Sequence, residues 1–322
     1  MKKIFTEITA ILLCLILVFS VCGRLAFVLM PERYDYGGTW NMFLKEPKNT
    51  IDLLVVGSSH AYCNVIPAEI KEKTGINSYV LAAPCLTMPL GYYYLKEALR
   101  TQKPQAVALE LTGMFFTDTM GFAKQSIGYM PYSANRMMST LVCAEDNEKL
   151  GLLFPLYNYH ERWQEFNLTD FFKERPDQKV DINAGYTLLL DSQKQTERQE
   201  RVFEYTDKSI ELNQNYLKKI IKLCKDEGIE LSLFIAPTCL YIGESDKKII
   251  TECIGDTPLY DFNEDFERFG FDLKKDFYDS KHLNFYGAKK FTPVFCDYFK
   301  NIKSQSSGLW EKRIENYKTY GN

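Results

Sequence analysis

The chain has 322 residues, of which 46% are hydrophobic and 14% are aromatic. This length and apolar content suit a large folded core and exclude an intrinsically disordered protein, a collagen and a coiled coil. Lysine and arginine together number 39 against 42 aspartate and glutamate residues, which gives a net charge of −3. Because no global cationic field results, we expect no nucleic-acid partner.

The N-terminal segment is apolar over a length that can cross a lipid bilayer. Two lysines precede an apolar run from Ile8 to Met30, which Arg24 interrupts near its far end. The run exceeds the roughly 20 residues that a membrane-spanning helix needs. A cleaved signal peptide is the alternative, but no small-residue cleavage site follows the apolar core. We therefore predict an uncleaved signal anchor at residues 1–33, with the body of this single-pass cell-membrane protein outside the cytoplasm.

The cysteines and histidines indicate neither a disulfide framework nor a metal site. Of the nine cysteines, Cys14 and Cys22 lie in the apolar run, and those of the body are scattered without a C-x-x-C pair. The three histidines have no ligand spacing among them, and no phosphate-binding glycine loop occurs. We therefore predict no metal and no cofactor. Free thiols are typical of a reducing compartment, so a body that faces the cytoplasm remains an alternative.

From residue 49 onward, predicted strands alternate with predicted helices. This alternation predicts an α/β fold with a mostly parallel sheet and helices on both faces. The predicted strands cover 51–56, 78–82, 106–111, 230–235 and 259–262, and the predicted helices lie near 67–73, 93–99, 215–228 and 286–301.

Residues 113–208 do not follow this alternation. They contain clustered aromatic residues and then polar stretches, which predict a helical or irregular insertion that forms a cap over one end of the sheet. The composition leaves open whether the aromatic residues form the cap's own core or line a sugar-binding groove. The α/β domain is therefore expected at 34–302. A polar linker at 304–308 belongs to a polar C-terminal tail, 303–322, which we expect to be a marginal or frayed helix.

Two short polar segments fall at the carboxyl ends of predicted strands, where parallel sheets place their sites. The first, Gly57-Ser58-Ser59-His60, directly follows the first strand. The second begins at Asp279, precedes the last helix and places Asp279 three residues before His282. At that spacing the carboxylate can accept a hydrogen bond from one ring nitrogen while the other nitrogen faces a hydroxyl. The two segments together predict a serine nucleophile with a histidine base.

These two segments resemble the first and last conserved blocks of the SGNH/GDSL hydrolase superfamily. The resemblance covers the order of elements over roughly residues 49 to 300 and implies a flavodoxin-like three-layer sandwich. It also implies Ser59 as the nucleophile, His282 as the base and Asp279 as the residue that orients the base. A Gly-Ser-Ser turn behind an N-terminal anchor is similar to the membrane-anchored branch that works beside membrane-bound O-acyltransferases. That branch includes proteins of teichoic-acid D-alanylation and alginate acetylation.

The middle blocks depart from the superfamily pattern, in which a glycine amide and an asparagine complete the oxyanion hole. Ala82-Ala83-Pro84-Cys85 follows the second strand, and Glu110-Leu111-Thr112-Gly113 follows the third. The replacement donors that we predict are the amide near Ala83 or Cys85 and the hydroxyl of Thr112.

Three further residues are candidates for substrate contacts. His60 adjoins the nucleophile turn and is either a substrate ligand or a residue that packs at a helix start. His160 and Arg162 lie among aromatic residues of the insertion and are candidates for binding an acceptor hydroxyl or carboxylate. A structural role is the alternative for both.

We therefore expect a membrane-anchored acyl-ester hydrolase or O-acyltransferase that acts on a cell-envelope glycan through an acyl-Ser59 intermediate. Its expected partners are the acylated or acyl-accepting glycan, the lipid bilayer and a membrane-bound O-acyltransferase. The alternative is a non-catalytic protein of the same fold that holds such an acyltransferase.

Overall fold

The computed structural model describes residues 2–31, 40–172, 181–299, 301–304 and 309–320. The predicted junction between anchor and body, at residues 33 and 34, lies outside the described residues. So does the predicted linker at 304–308, apart from its first residue.

Five parallel strands form the central sheet in the order β2-β1-β3-β5-β7. Each begins and ends within about two residues of a predicted strand, and the predicted α/β fold with a mostly parallel sheet is confirmed. The strands are β1 (Leu53–Gly57), β2 (Ser78–Ala82), β3 (Ala106–Glu110), β4 (Gln199–Glu200), β5 (Glu230–Ile235), β6 (Leu240–Tyr241) and β7 (Leu259–Asp261). β4 and β6 form a separate parallel pair.

The helices cover both faces of this sheet. They are α1 (Lys2–Leu29), α2 (Trp40–Phe43), α3 (Ser59–Tyr62), α4 (Pro67–Thr74), α5 (Met88–Ala98), α6 (Ala123–Ser126), α7 (Ala134–Cys143), α8 (Asp146–Leu153), α9 (Pro155–Tyr159), α10 (Asp207–Asp226), α11 (Glu244–Ile254), α12 (Phe285–Phe295) and α13 (Trp310–Tyr320). Short 3₁₀ helices occupy Thr112–Phe115, Ile127–Tyr129, His160–Glu165, Leu168–Phe171, Phe266–Phe269 and Cys296–Phe299.

The core lies in two layers, one on each face of the sheet. Strand β1 is apolar along its length because both of its faces are covered, as is typical of central parallel strands. Its alternate residues Leu54 and Val56 face the layer that contains α5 and α10. Leu53 and Val55 face the layer that contains α4 and α12.

The insertion at 113–208 is helical and irregular, as predicted. Helices α6 to α9 and three of the described 3₁₀ helices lie in it, a further 3₁₀ helix (Thr112–Phe115) begins just before it, and β4 lies near its end. The interpretation of this segment as a cap over the site remains a prediction.

Helix α1 is long and apolar enough to cross a membrane. Its last turns do not extend into solvent, because Ala26 and Leu29 are buried against the body. Arg24 donates a hydrogen bond to the carbonyl of Phe171 in the insertion. The exposed apolar part of α1 therefore ends earlier than the predicted span, which extends to Met30.

The C-terminal tail, predicted as a marginal or frayed helix, contains a helix that is packed against the body. This helix, α13, packs on α4. Trp310 is only 4% exposed, and the buried Arg313 forms an ion pair with Glu46. Contacts to residues distant in the sequence, which local polarity does not reveal, hold this helix in place.

Candidate active site

The serine turn lies where β1 ends. Gly57 brings the chain so close to β3 that a Cβ atom here would lie 2.5 Å from the Cβ of Glu110. Ser58 is the N-cap of α3, since its hydroxyl accepts a hydrogen bond from the amide of His60. Ser59 is the first residue of that short helix and remains partly exposed. The turn therefore buries Ser58 and presents Ser59.

The carboxylate and imidazole come from the turn that precedes α12. Oδ1 of Asp279 accepts hydrogen bonds from the backbone amides of Lys281 and His282, at 2.7 and 2.9 Å. Both carboxylate oxygens lie 2.9 Å from Nδ1 of His282. The next residues fix the turn on the helix, because Asn284 caps α12 by accepting from the amide of Gly287.

The fold brings these two turns into direct contact. Nε2 of His282 lies 2.8 Å from Oγ of Ser59. Burial alone would raise the pKa of Asp279, but its hydrogen bond to His282, the charge of His282 and the two amides hold that pKa below 3.8. Asp279 is therefore ionised at neutral pH, and with it bonded to Nδ1, the other ring nitrogen is free to accept the serine proton.

A second carboxylate lies beneath the serine turn. Glu110 is completely buried, and one of its oxygens accepts from the amide and the hydroxyl of Thr112. Its other oxygen accepts a 2.8 Å hydrogen bond from the Ser58 hydroxyl. Burial raises the pKa of Glu110 above 4.5, whereas the bonds from Thr112 and Ser58 favour the charged form. The sequence shows this residue only as a polar strand end.

His60 joins this buried group to the Ser59–His282 pair. Its Nδ1 lies 3.1 Å from the Ser58 hydroxyl, and its ring centroid lies 5.3 Å from that of His282. Burial, followed by the charges of His282, Arg201 and Lys281, holds the pKa of His60 well below 6.5. The imidazole is therefore neutral.

The predicted oxyanion donors are not equally available. The Ala83 amide donates to the Gly57 carbonyl, and both Thr112 donors are bonded to Glu110. The amides of Ser59 and Cys85 have no hydrogen-bond partner in the described part of the chain. Cys85 has a φ of 49°, a left-handed conformation that is uncommon for a residue other than glycine. These two amides are the donors that remain for an oxyanion.

Arg201 is a site residue that the sequence analysis missed. It directly follows β4, and its guanidinium carbon lies 4.5 Å from the ring centroid of Phe203. Its charge acts on the pKa values of His60 and Cys85. No hydrogen bond to this guanidinium occurs among the residues described. The irregular sequence around Arg201 contains no pattern that would have predicted its position.

His160 and Arg162 lie beside the N-terminal helix rather than beside Ser59. Nη1 of Arg162 donates a 2.6 Å hydrogen bond to the carbonyl of Leu29, and the side chain also pairs with Glu165. His160 is exposed, and its Nδ1 lies 2.7 Å from the carbonyl of Tyr157. Within the described part of the chain, no contact links either residue to Ser59, so their substrate role remains a prediction. Over the same described ranges, no group of three or more His, Cys, Asp or Glu residues could hold a metal ion.

Comparisons with known proteins find a remote structural likeness and no match in sequence. No protein-family model matches the chain, and no curated protein matches its sequence. Among solved structures, the chain is similar to the crystal structure of a "putative acylhydrolase" from Bacteroides fragilis, with 11% sequence identity and a TM-score of 0.40. The match covers 84% of this chain and 96% of that chain.

Proposed function

We propose that this protein is a membrane-anchored, serine-dependent acyl-ester hydrolase or O-acyltransferase of the SGNH type. The observation on which the proposal rests is the placement of His282 between Ser59 Oγ, at 2.8 Å, and the Asp279 carboxylate, at 2.9 Å. Hydroxyl, imidazole and carboxylate in this order are the parts of an activated serine nucleophile.

The geometry supports a two-step acyl transfer. Ser59 Oγ attacks the carbonyl carbon of an acyl ester while its proton moves to Nε2 of His282. The amides of Ser59 and Cys85 supply donors for the developing oxyanion. The bond to the leaving oxygen then breaks, His282 returns the proton to that oxygen, and an acyl-Ser59 ester remains. Asp279 stabilises the imidazolium that forms between these steps.

In the second step, His282 accepts a proton from an incoming hydroxyl, whose oxygen attacks the acyl carbon. The bond between the acyl carbon and Ser59 Oγ then breaks, and His282 returns the proton to Oγ. Water as the acceptor yields a free acid, and a sugar hydroxyl yields a new ester. The apolar helix α1 and the Gly57-Ser58-Ser59 turn support an extracytoplasmic site that acts on cell-envelope polysaccharide. By its resemblance to the membrane-anchored branch, a membrane-bound O-acyltransferase is the proposed partner.

A fluorophosphonate probe tests the nucleophile directly. The full-length protein in detergent is exposed to the probe, and its intact mass is then measured. We expect one adduct in the wild type and none in Ser59→Ala or His282→Ala. Ser245→Ala is the matched control, because Ser245 is an exposed serine on α11. Absence of an adduct on the folded wild type, in detergent and in native membranes, would contradict the proposal.

A second candidate function is a non-catalytic partner that holds a membrane-bound O-acyltransferase. The bonded state of the Ala83 amide and of both Thr112 donors favours it, since only two oxyanion donors remain. Cells that contain Ser59→Ala in place of the wild type distinguish the candidates. Loss of glycan acylation supports the enzyme, whereas normal acylation with retained partner binding supports the non-catalytic protein.

A further inference from the structure

Exposed large apolar side chains of the body are concentrated in one part of the insertion. Six of them define what we call the cap face: Tyr132, Phe154, Tyr157, Trp163, Leu168 and Phe172. Each is more than half exposed, and Phe172 is 91% exposed. An apolar cluster of this extent on a soluble body indicates contact with a partner or a membrane.

The cap face is continuous with the apolar helix α1. A groove of about 580 Å³ lies between them, lined by Val18, Phe19 and Cys22 of the helix and by Tyr132 and Phe154 of the cap face.

Two polar contacts fix this arrangement. Arg24 donates to the carbonyl of Phe171, and Arg162 donates to the carbonyl of Leu29. These two hydrogen bonds therefore hold the helix and the cap face in a fixed relative position.

The length of α1 locates the bilayer boundary. Because Ala26 and Leu29 are buried in the body, they cannot face lipid. The uncharged stretch from Ile8 to Gly23 spans roughly 24 Å at 1.5 Å per residue, which is somewhat less than the roughly 30 Å of the hydrocarbon core. The groove begins at Val18, roughly 9 Å before the end of that stretch. Side chains that line the groove therefore lie at the level of the outer part of the span.

The chemistry of the cap face suits this depth. Tyrosine and tryptophan are enriched at membrane–water interfaces, where one part of the ring is apolar and the other is wet. Exposed charged residues, among them Glu161 and Glu165, alternate with the apolar ones. Such a mixture fits the headgroup boundary and would not be stable in the hydrocarbon interior.

We propose that the cap face lies in the interfacial layer of the same bilayer that α1 crosses, so that the body is attached to the membrane at two places. This inference rests on the membrane anchoring in the proposed function, and it is independent of the Ser59 chemistry. The partner that contacts the cap face is therefore lipid. The insertion thereby sets the orientation of the body relative to the membrane surface.

Tryptophan fluorescence can test this contact in the full-length protein. The chain has three tryptophans, and Trp40 and Trp310 are only 2% and 4% exposed, whereas Trp163 is 67% exposed. Collisional quenchers therefore report mainly on Trp163. In phosphatidylcholine vesicles brominated near the carbonyl end of the chains, we expect loss of most of the Trp163 emission. Aqueous iodide should have little effect.

Two variants test whether the quenching by brominated lipid comes from Trp163. Trp163→Phe should abolish the quenching by brominated lipid. Adding Lys289→Trp to that variant places a tryptophan on α12, on the opposite face of the sheet, where Lys289 is exposed. Its emission should be quenched by iodide and unaffected by brominated lipid.

Three results would overturn the proposal, and flotation of the vesicles separates them. If the protein floats but iodide quenches Trp163 and brominated lipid does not, the anchor is present and the cap face is in water. If Trp163 is shielded only in native membranes and not in pure vesicles, a protein covers the face. If the protein does not float, anchoring itself fails. The fluorophosphonate adduct tests the serine chemistry separately in each case.

Discussion

The hydroxyl of Ser58 donates a 2.8 Å hydrogen bond to the carboxylate of Glu110. The same hydroxyl oxygen lies 3.1 Å from Nδ1 of His60. A hydroxyl has one proton, so while Glu110 is ionised that proton points to the carboxylate. Nδ1 of His60 must then be the donor, which leaves Nε2 unprotonated. In its ionised form, Glu110 thus fixes the tautomer of a histidine that faces His282.

Glu110→Gln should reverse this tautomer. The glutamine oxygen can still accept from Thr112, but its amide group must donate to the Ser58 hydroxyl, which then turns its proton toward Nδ1 of His60. We expect His60 to change from the Nδ1–H to the Nε2–H form, with a stability loss of about 1 kcal/mol. Long-range ¹H–¹⁵N correlation spectra of ¹⁵N-histidine-labelled protein distinguish the two forms.

Glu97→Gln is the control for that variant. Glu97 is also buried and accepts from a serine, Ser133, but none of its hydrogen bonds involves His60. Its replacement should leave the His60 signals unchanged. An identical His60 tautomer in the wild type and in Glu110→Gln would show that the carboxylate does not govern it.

Gly57→Ala should destabilise the protein through direct overpacking. The new methyl group would lie 2.5 Å from the Cβ of Glu110 and 3.0 Å from that of Ala61, so β1 and β3 would have to separate. We expect a loss of about 1–3 kcal/mol in the free energy of unfolding. Gly128→Ala, whose nearest neighbour would lie at an ordinary 3.7 Å, should be nearly neutral. Equal urea midpoints for the two variants would refute the packing argument.

The strands and the approach of Ser59 to His282 could be predicted because their signals are local. Each central strand is a short apolar run between turn residues, and the carboxyl ends of parallel strands share one edge. A serine after β1 and an Asp-x-x-His segment between β7 and α12 are therefore expected at the same edge of the sheet. The structure places them in contact, and their catalytic role remains our proposal.

Glu110, Arg201 and Arg313 could not be predicted, because their roles depend on distant partners. The burial of Glu110 follows from the pairing of β3 with β1, which places it beneath Ser58. Arg201 reaches the site because β4 pairs with β6, and its own segment has no periodic pattern. Arg313 meets a partner 267 residues away, so the polar sequence of α13 gives no sign of its docking.

Asp279→Asn should weaken stability in a pH-dependent way. The folded protein holds the pKa of Asp279 below 3.8, so the unfolded chain binds more protons in the acid range. The stabilisation from this carboxylate is therefore complete above about pH 4 and is lost as the pH falls through its folded pKa. The difference in unfolding free energy between the wild type and the variant should be largest near neutrality and shrink in acid. A difference that stays constant across urea titrations from about pH 6 to about pH 3 would contradict this assignment.

The ion pair between Arg313 and Glu46 should dominate the attachment of α13. Both side chains are nearly inaccessible, at 2% and 3% exposed, and the guanidinium also donates to the carbonyl of Asp181 at 2.8 and 2.9 Å. Removing one partner leaves the other as an unpaired charge in the interior. Arg313→Met should therefore cost about 3–5 kcal/mol in the free energy of unfolding.

Replacing both partners should undo most of that loss. In the double variant with Glu46→Leu and Arg313→Met, neither member of the ion pair is left as an uncompensated buried charge, and apolar side chains fill a similar volume. Burial already raises the pKa of Glu46 against the opposing effect of Arg313, which shows how poorly this position tolerates a charge. We expect the double variant to recover at least about half of the loss in urea unfolding of the full chain. A double variant no more stable than Arg313→Met would mean that α13 is held by the specific geometry of the pair rather than by removal of an uncompensated charge.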